Sequence, residues 1–255
     1  IYWSCLKSPV PVKKTDKKTI WQKIKRKLKT VIYTQSKNKR KNVSCHVSDT
    51  DVIFFSKKIC DVKEKNKFSY LVKEICDKEK ISLTEFKRGI YKKEGRTIPF
   101  TDVRPEVTVE SREKPEYTAL YETVAELIGK EKAAQYLNPH DIALSIDRFK
   151  KLKEKWFDIL QESSLSVAIF TCFYDENYFP IISALNENGI VTVDIQHGVI
   201  DRNHVAYNYW NSRDTKKYGI LPTEYWVWSN YEKHLMEKNG CTGRIIVTGN
   251  YSIHI

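Results

Sequence analysis

The six cysteines of this 255-residue chain, Cys5, Cys45, Cys60, Cys76, Cys172 and Cys241, form no CxxC pair and follow no regular spacing. That excludes a zinc ribbon or finger and offers no disulfide framework. Cys172 stands inside an apolar run and reads as a small core residue. No stretch of about 18 apolar residues occurs, so no spanning helix is expected. The opening residues do not read as a secretory signal, and a reducing cytoplasm is the expected location. The patterns GxGxxG, GxxxxGK[ST], HExxH and GxSxG are all missing. With them goes the sequence support for dinucleotide enzymes, P-loop NTPases, zincins and α/β-hydrolases.

Charge is plentiful, but it is unevenly placed. Residues 1–50 hold 14 Lys and Arg against Asp16 and Asp49, whereas residues 51–255 hold 30 basic and 30 acidic residues. The basic character therefore belongs to an N-terminal arm, residues 1–48. A nucleic-acid-binding fold carries its basic patch on its own surface, so the neutral remainder argues against nucleic acid as a partner. Within the arm, residues 17–33 place Ile20, Ile24, Leu28 and Val31 or Ile32 at helical spacing, with Trp21 at the edge of the stripe. Lysines and Arg26 fill the other face. Such a basic amphipathic helix can lie in the headgroup region of an anionic membrane, or it can pack as an ordinary surface helix or serve as a linker.

From residue 49 the pattern becomes α/β. The segments 51–56 and 69–75 read as short strands, residues 80–112 as loops and edge strands, and 115–137 and 140–162 as helices. In the second helix Ile142, Ile146, Phe149, Leu152, Trp156 and Ile159 recur at three- and four-residue steps, with Asn138 or Asp141 available as a cap. The remainder alternates: strand 167–174, helix 176–188, strand 190–196, loop 201–220, strand 224–229, helix 231–239, strand 244–249. Strand–helix–strand at this pitch predicts right-handed βαβ units on a parallel sheet flanked by helices, a Rossmann-like domain over residues 49–255.

The run Ile190-Val-Thr-Val-Asp-Ile stops on Gln196, His197 and Gly198. In an open parallel sheet, ligands bind beyond the carboxyl ends of the strands, so this strand end delivers His197 to a cleft. Glycine beside it lets a ligand approach the backbone closely. His197 and Glu176 are the candidate catalytic residues, since imidazole titrates near neutrality and Glu176 follows the preceding strand. Tyr174, Asn177, Gln196, Gly198, Asp201, His204, Tyr207 and Asn250 are candidate acceptor-binding residues. Glu176 could equally complement a helix dipole. The aromatic residues Tyr207, Tyr209, Trp210, Tyr225, Trp226 and Trp228 could stack on sugar rings, but strand alternation is expected to bury Trp226 or Trp228.

Four blocks in order, residues 186–200, His204-Val-Ala-Tyr207, residues 221–229 and Ile245-Ile-Val-Thr-Gly-Asn250, resemble bacterial GT-B glycosyltransferases of surface-polysaccharide (capsule and O-antigen) assembly. In that family a strand ending in Gln-His-Gly, a tyrosine-bearing loop, an aspartate-led strand with tryptophan and a Val-Thr-Gly-Asn-Pro strand follow one another. Here Thr223-Glu224 stands in place of the aspartate and Tyr251 in place of the proline. The resemblance covers about residues 165–250. It implies the acceptor-binding, N-terminal half of a two-domain enzyme, with the donor-binding half outside this chain and no turnover by this half alone. It further implies a metal-independent transferase with no cofactor, whose substrates are a nucleotide-sugar and a saccharide or lipid-linked acceptor. Its place would be the cytoplasm, peripheral on the inner face of the plasma membrane. The other readings are a polyol-phosphate or other activated-group transferase of the same build, and a non-catalytic scaffold domain using the basic arm.

Overall fold

A computed structural model describes residues 47, 49–57, 67–88, 97–99, 115–136, 138–161, 163–208 and 219–250. The basic arm, its expected helix at 17–33, and the aromatic residues Tyr209 and Trp210 lie outside the described residues. The elements run β1 (Val52–Lys57), α1 (Lys67–Glu79), β2 (Leu83–Arg88), β3 (Thr97–Pro99), α2 (Pro115–Ile128), α3 (Lys130–Tyr136), α4 (Pro139–Gln161) and β4 (Val167–Phe170). They continue α5 (Tyr178–Glu187), β5 (Val191–Ile195), β6 (Glu224–Val227), α6 (Asn230–Lys238) and β7 (Arg244–Val247).

All seven strands pair parallel in the order β3-β2-β1-β4-β5-β6-β7. The sheet is doubly wound: the chain builds outward from β1 through β2 to β3, then returns beside β1 with β4 and builds the other way. The switch point lies between β1 and β4. Strand runs that are apolar on both faces, such as Val52-Ile-Phe-Phe55, suit a sheet covered by helices on both sides. On one face Phe55 stacks on Phe170 and Phe86 at centroid distances of 4.6 and 5.3 Å, beneath Trp156 of α4 and Tyr178 of α5. On the other face Val52, Phe54, Val167, Ile169 and Val193 pack with Val72, Ile75 and Cys76 of α1.

The expected parallel strands at 167–174, 190–196, 224–229 and 244–249 are present, in shorter form. One expected strand is not. Residues 69–75 belong to α1, because Val72, Ile75 and Cys76 are buried while Lys73, Asp77 and Lys78 are exposed, a helical spacing. The parallel neighbours β1 and β2 also require a crossover, which a helix supplies. β2, expected among loops and edge strands, is an interior strand of six residues. Its weak apolar signal reflects Thr84, Glu85, Lys87 and Arg88; Thr84 is buried, with its hydroxyl 2.8 Å from that of Thr50. The helix expected over 115–137 divides at Gly129, which adopts φ +90°. Asn138 caps α4: its Oδ1 accepts the backbone N–H of His140 at 2.9 Å, just past Pro139 at the first helical position. No described helix is long and apolar enough to cross a membrane.

Candidate active site

β4, β5, β6 and β7 end at one edge of the sheet. The segments that follow them, residues 171–177, 196–208, 228–229 and 248–250, make up the candidate site. β5 sits one strand away from the switch point.

Gln196 fixes where His197 emerges. Its side-chain Oε1 accepts the N–H of Trp228 at 2.7 Å, and its Nε2 donates to the carbonyl of Gly198 at 2.8 Å. Its own carbonyl accepts the Trp228 indole N–H at 3.0 Å. The end of β5 is thereby stapled to the end of β6. Expected among the acceptor contacts, Gln196 is instead 1% exposed with both amide atoms engaged inside the protein. Trp226 of β6 is buried, and Trp228, just past the end of β6, is half-buried.

His197 is half-buried, and its Nε2 lies 3.3 Å from the Tyr174 hydroxyl. Burial first, then the Cys172 side chain and the Asp194 carboxylate, push the Tyr174 phenol well above its usual range. The phenol is therefore neutral near pH 7, and can donate to a neutral imidazole or accept from a charged one. Tyr174 meets His204 at 5.4 Å and Tyr207 at 5.9 Å, both edge to face, and His204 meets Tyr207 at 4.8 Å. Tyr174, His197, His204 and Tyr207 thus form one cluster. Tyr207 serves it from below, being 3% exposed. A Cβ added at Gly198 would meet nothing within 4 Å, so there is open space at the residue after His197, whose own ring has Nδ1 buried and Nε2 facing Tyr174.

Beneath the cluster lies Asp194, in the middle of the apolar run and 1% exposed. Its Oδ1 accepts the N–H of Phe173 at 3.1 Å and its Oδ2 accepts the Tyr207 hydroxyl at 2.8 Å. Burial pushes this carboxyl up to about 7, against the lowering effect of Tyr207 and the backbone N–H groups of Phe173 and Cys172. The backbone between β4 and Phe173 is strained, since Cys172 adopts φ +68° without being glycine. The one sequence signal for Asp194 was a lone carboxylate inside a β-branched strand.

The remaining candidates fall elsewhere. Glu176 is 71% exposed and pairs at 3.9 Å with Arg148 of α4; no described contact joins it to His197. The acid at the start of α5 is Asp175, whose Oδ1 takes the N–H of Asn177 at 3.1 Å and its side-chain amide at 2.9 Å. Asn177 is buried, and its Oδ1 has no hydrogen-bond partner among the described residues. Asp201 is exposed and holds its own loop, accepting the N–H of Asn203 at 2.8 Å. Asn250 is half-buried past the end of β7. Among the described residues no three His, Cys, Asp or Glu side chains cluster as a metal site.

Fold and site together define a doubly wound α/β domain with a histidine–tyrosine cluster at the carboxyl edge of its sheet. No protein-family model, curated protein or solved structure matches the chain.

Proposed function

We propose that this domain is the acceptor-binding half of a GT-B glycosyltransferase of surface-polysaccharide assembly, with His197 as its general base. The observation that carries the reading is His197 itself: half-buried at the end of β5, backed by the Tyr174 hydroxyl, with open space beside it at Gly198. The four sequence blocks that resemble the family supply the reaction class. In the transfer, imidazole takes the proton of the acceptor hydroxyl as that oxygen bonds to the anomeric carbon. The bond from that carbon to the nucleotide diphosphate breaks, and the diphosphate leaves with the electron pair. A base of this kind contributes roughly a hundredfold or more to the rate. Tyr174 holds the ring in orientation. His204, half-buried against Tyr174 and Tyr207, is assigned a hydrogen bond to a sugar hydroxyl. The nucleotide-sugar is a substrate bound mainly by a donor half outside this chain, and the basic arm would hold the enzyme against anionic lipid at the inner membrane face. Glu176, turned toward Arg148, takes no part in this mechanism.

Binding tests this reading on the domain itself. Titration with acceptor oligosaccharides should move the ring signals of His197 and His204 in an NMR spectrum before those of the distant, exposed His140 and His234. Acceptors that bind while leaving the His197 and His204 signals unmoved would refute the placement of the site.

A further inference from the structure

We infer that Asp194 is a positioning residue: its buried carboxylate ties the turn after β4 to the loop after β5, and so fixes Tyr174 against His197. The inference rests on reading His197 as the working group, but its test does not use turnover. One carboxylate oxygen takes the N–H of Phe173, in the turn that carries Tyr174, and the other takes the hydroxyl of Tyr207, in the loop that carries His204. Between the same two segments the Tyr174 hydroxyl lies 3.3 Å from His197 Nε2, and the rings of Tyr174, His204 and Tyr207 meet edge to face. The turn needs such a tether, because Cys172 holds φ +68° just before Phe173. A left-handed residue other than glycine persists only where its surroundings over-determine it.

The groups that face Asp194 are Tyr207 from the loop after β5, Tyr174 and Cys172 from the turn after β4, and Tyr225 from β6. None is a cation. An acid placed to form an ion pair would sit beside Lys or Arg; this one sits among hydrogen-bond donors from two loops. That arrangement suits orientation rather than charge balance. The ring of Tyr207 transmits the tether, being hydrogen-bonded to Asp194 at one end and in contact with Tyr174 and His204 along its edge.

The test follows the ring signals of His197 and His204 by NMR across pH 5–9 in the full chain, comparing Asp194→Asn, Tyr207→Phe and the double variant. Asp194→Asn keeps an acceptor for Phe173 and loses the carboxylate acceptor for Tyr207; Tyr207→Phe removes the hydroxyl alone. Each should move the His197 midpoint by roughly half a pH unit or more, the scale of one modest hydrogen bond. The double variant should move it no further than the larger single change, since both cut one tether. Fully additive shifts, or a His197 midpoint unchanged in a folded Tyr207→Phe, would overturn the inference. Should Asp194→Asn fail to fold, Tyr207→Phe alone decides by that same criterion. If the tether stands while acceptors bind without touching His197, the positioning role survives and the transferase reading falls.

Discussion

Replacing Asp194 with asparagine should change how stability depends on pH more than it changes stability at any one pH. The carboxyl is pushed from an ordinary 3.8 up to about 7 by burial. A raised folded-state pKa means that the folded protein holds the proton where the unfolded chain has released it. Its stabilising contribution is therefore complete below about pH 4 and is lost as pH rises to about 7. At about 1.4 kcal/mol per unit over some three units, the ceiling is about 4 kcal/mol. Asparagine does not titrate. Losing the carboxylate as acceptor for Tyr207 should cost the variant about 1 kcal/mol at every pH. The variant's stability relative to the wild type should thus climb between pH 4 and 7 and level off above that. Urea denaturation followed by fluorescence of the buried Trp156 and Trp226, at half-unit steps of pH, measures the difference. A difference that stays flat across that window would show that Asp194 ionises in the fold as it does in water, and the argument from burial would fail.

Gly198→Ala should leave stability unchanged, because its Cβ meets nothing, yet weaken acceptor binding in an NMR or calorimetric titration. Gly189→Ala, also in open space but at φ +70°, should cost about 1–2 kcal/mol in a denaturant midpoint assay through backbone strain alone. Trp156→Ala should cost about 3–5 kcal/mol in the same assay, since the ring fills the core between Phe55 and Phe86. Full-length chain should sediment with anionic vesicles at low salt, and a version starting at residue 45 should not; equal sedimentation would assign the arm to packing or to a linker.

The sheet was legible wherever strands are apolar on both faces. Residues 167–170, 191–195 and 224–227 were identifiable because a covered parallel strand tolerates few polar side chains. β2 was not, since Thr84 and Glu85 are accommodated by tertiary partners, the Thr50 hydroxyl and the Ser56 hydroxyl at 2.6 Å. α1 was mistaken for a strand because residues 69–75 put four apolar side chains so close that helical and strand periods coincide over that span. In the site, sequence order could place His197, His204, Tyr207 and Tyr174 near one edge, since strand ends do so. It could not show which polar groups turn inward. Gln196 and Tyr207 carry ligand-like chemistry and use it to brace the protein, while Asp194, hidden in an apolar run, joins the two loops. Glu176 and Asp175 are adjacent, and only the backbone turn decides that Asp175 holds Asn177 ahead of α5 while Glu176 faces Arg148.

The central claim is that His197 takes the acceptor proton, and the direct measurement is sugar transfer by the full-length protein carrying His197→Ala. The rate at saturating donor and acceptor should fall roughly a hundredfold or more. Acceptor affinity should stay within a few-fold, and the denaturation midpoint should match the wild type. Transfer at the wild-type rate by a folded His197→Ala protein would contradict the account and leave His197 a residue of the strand end.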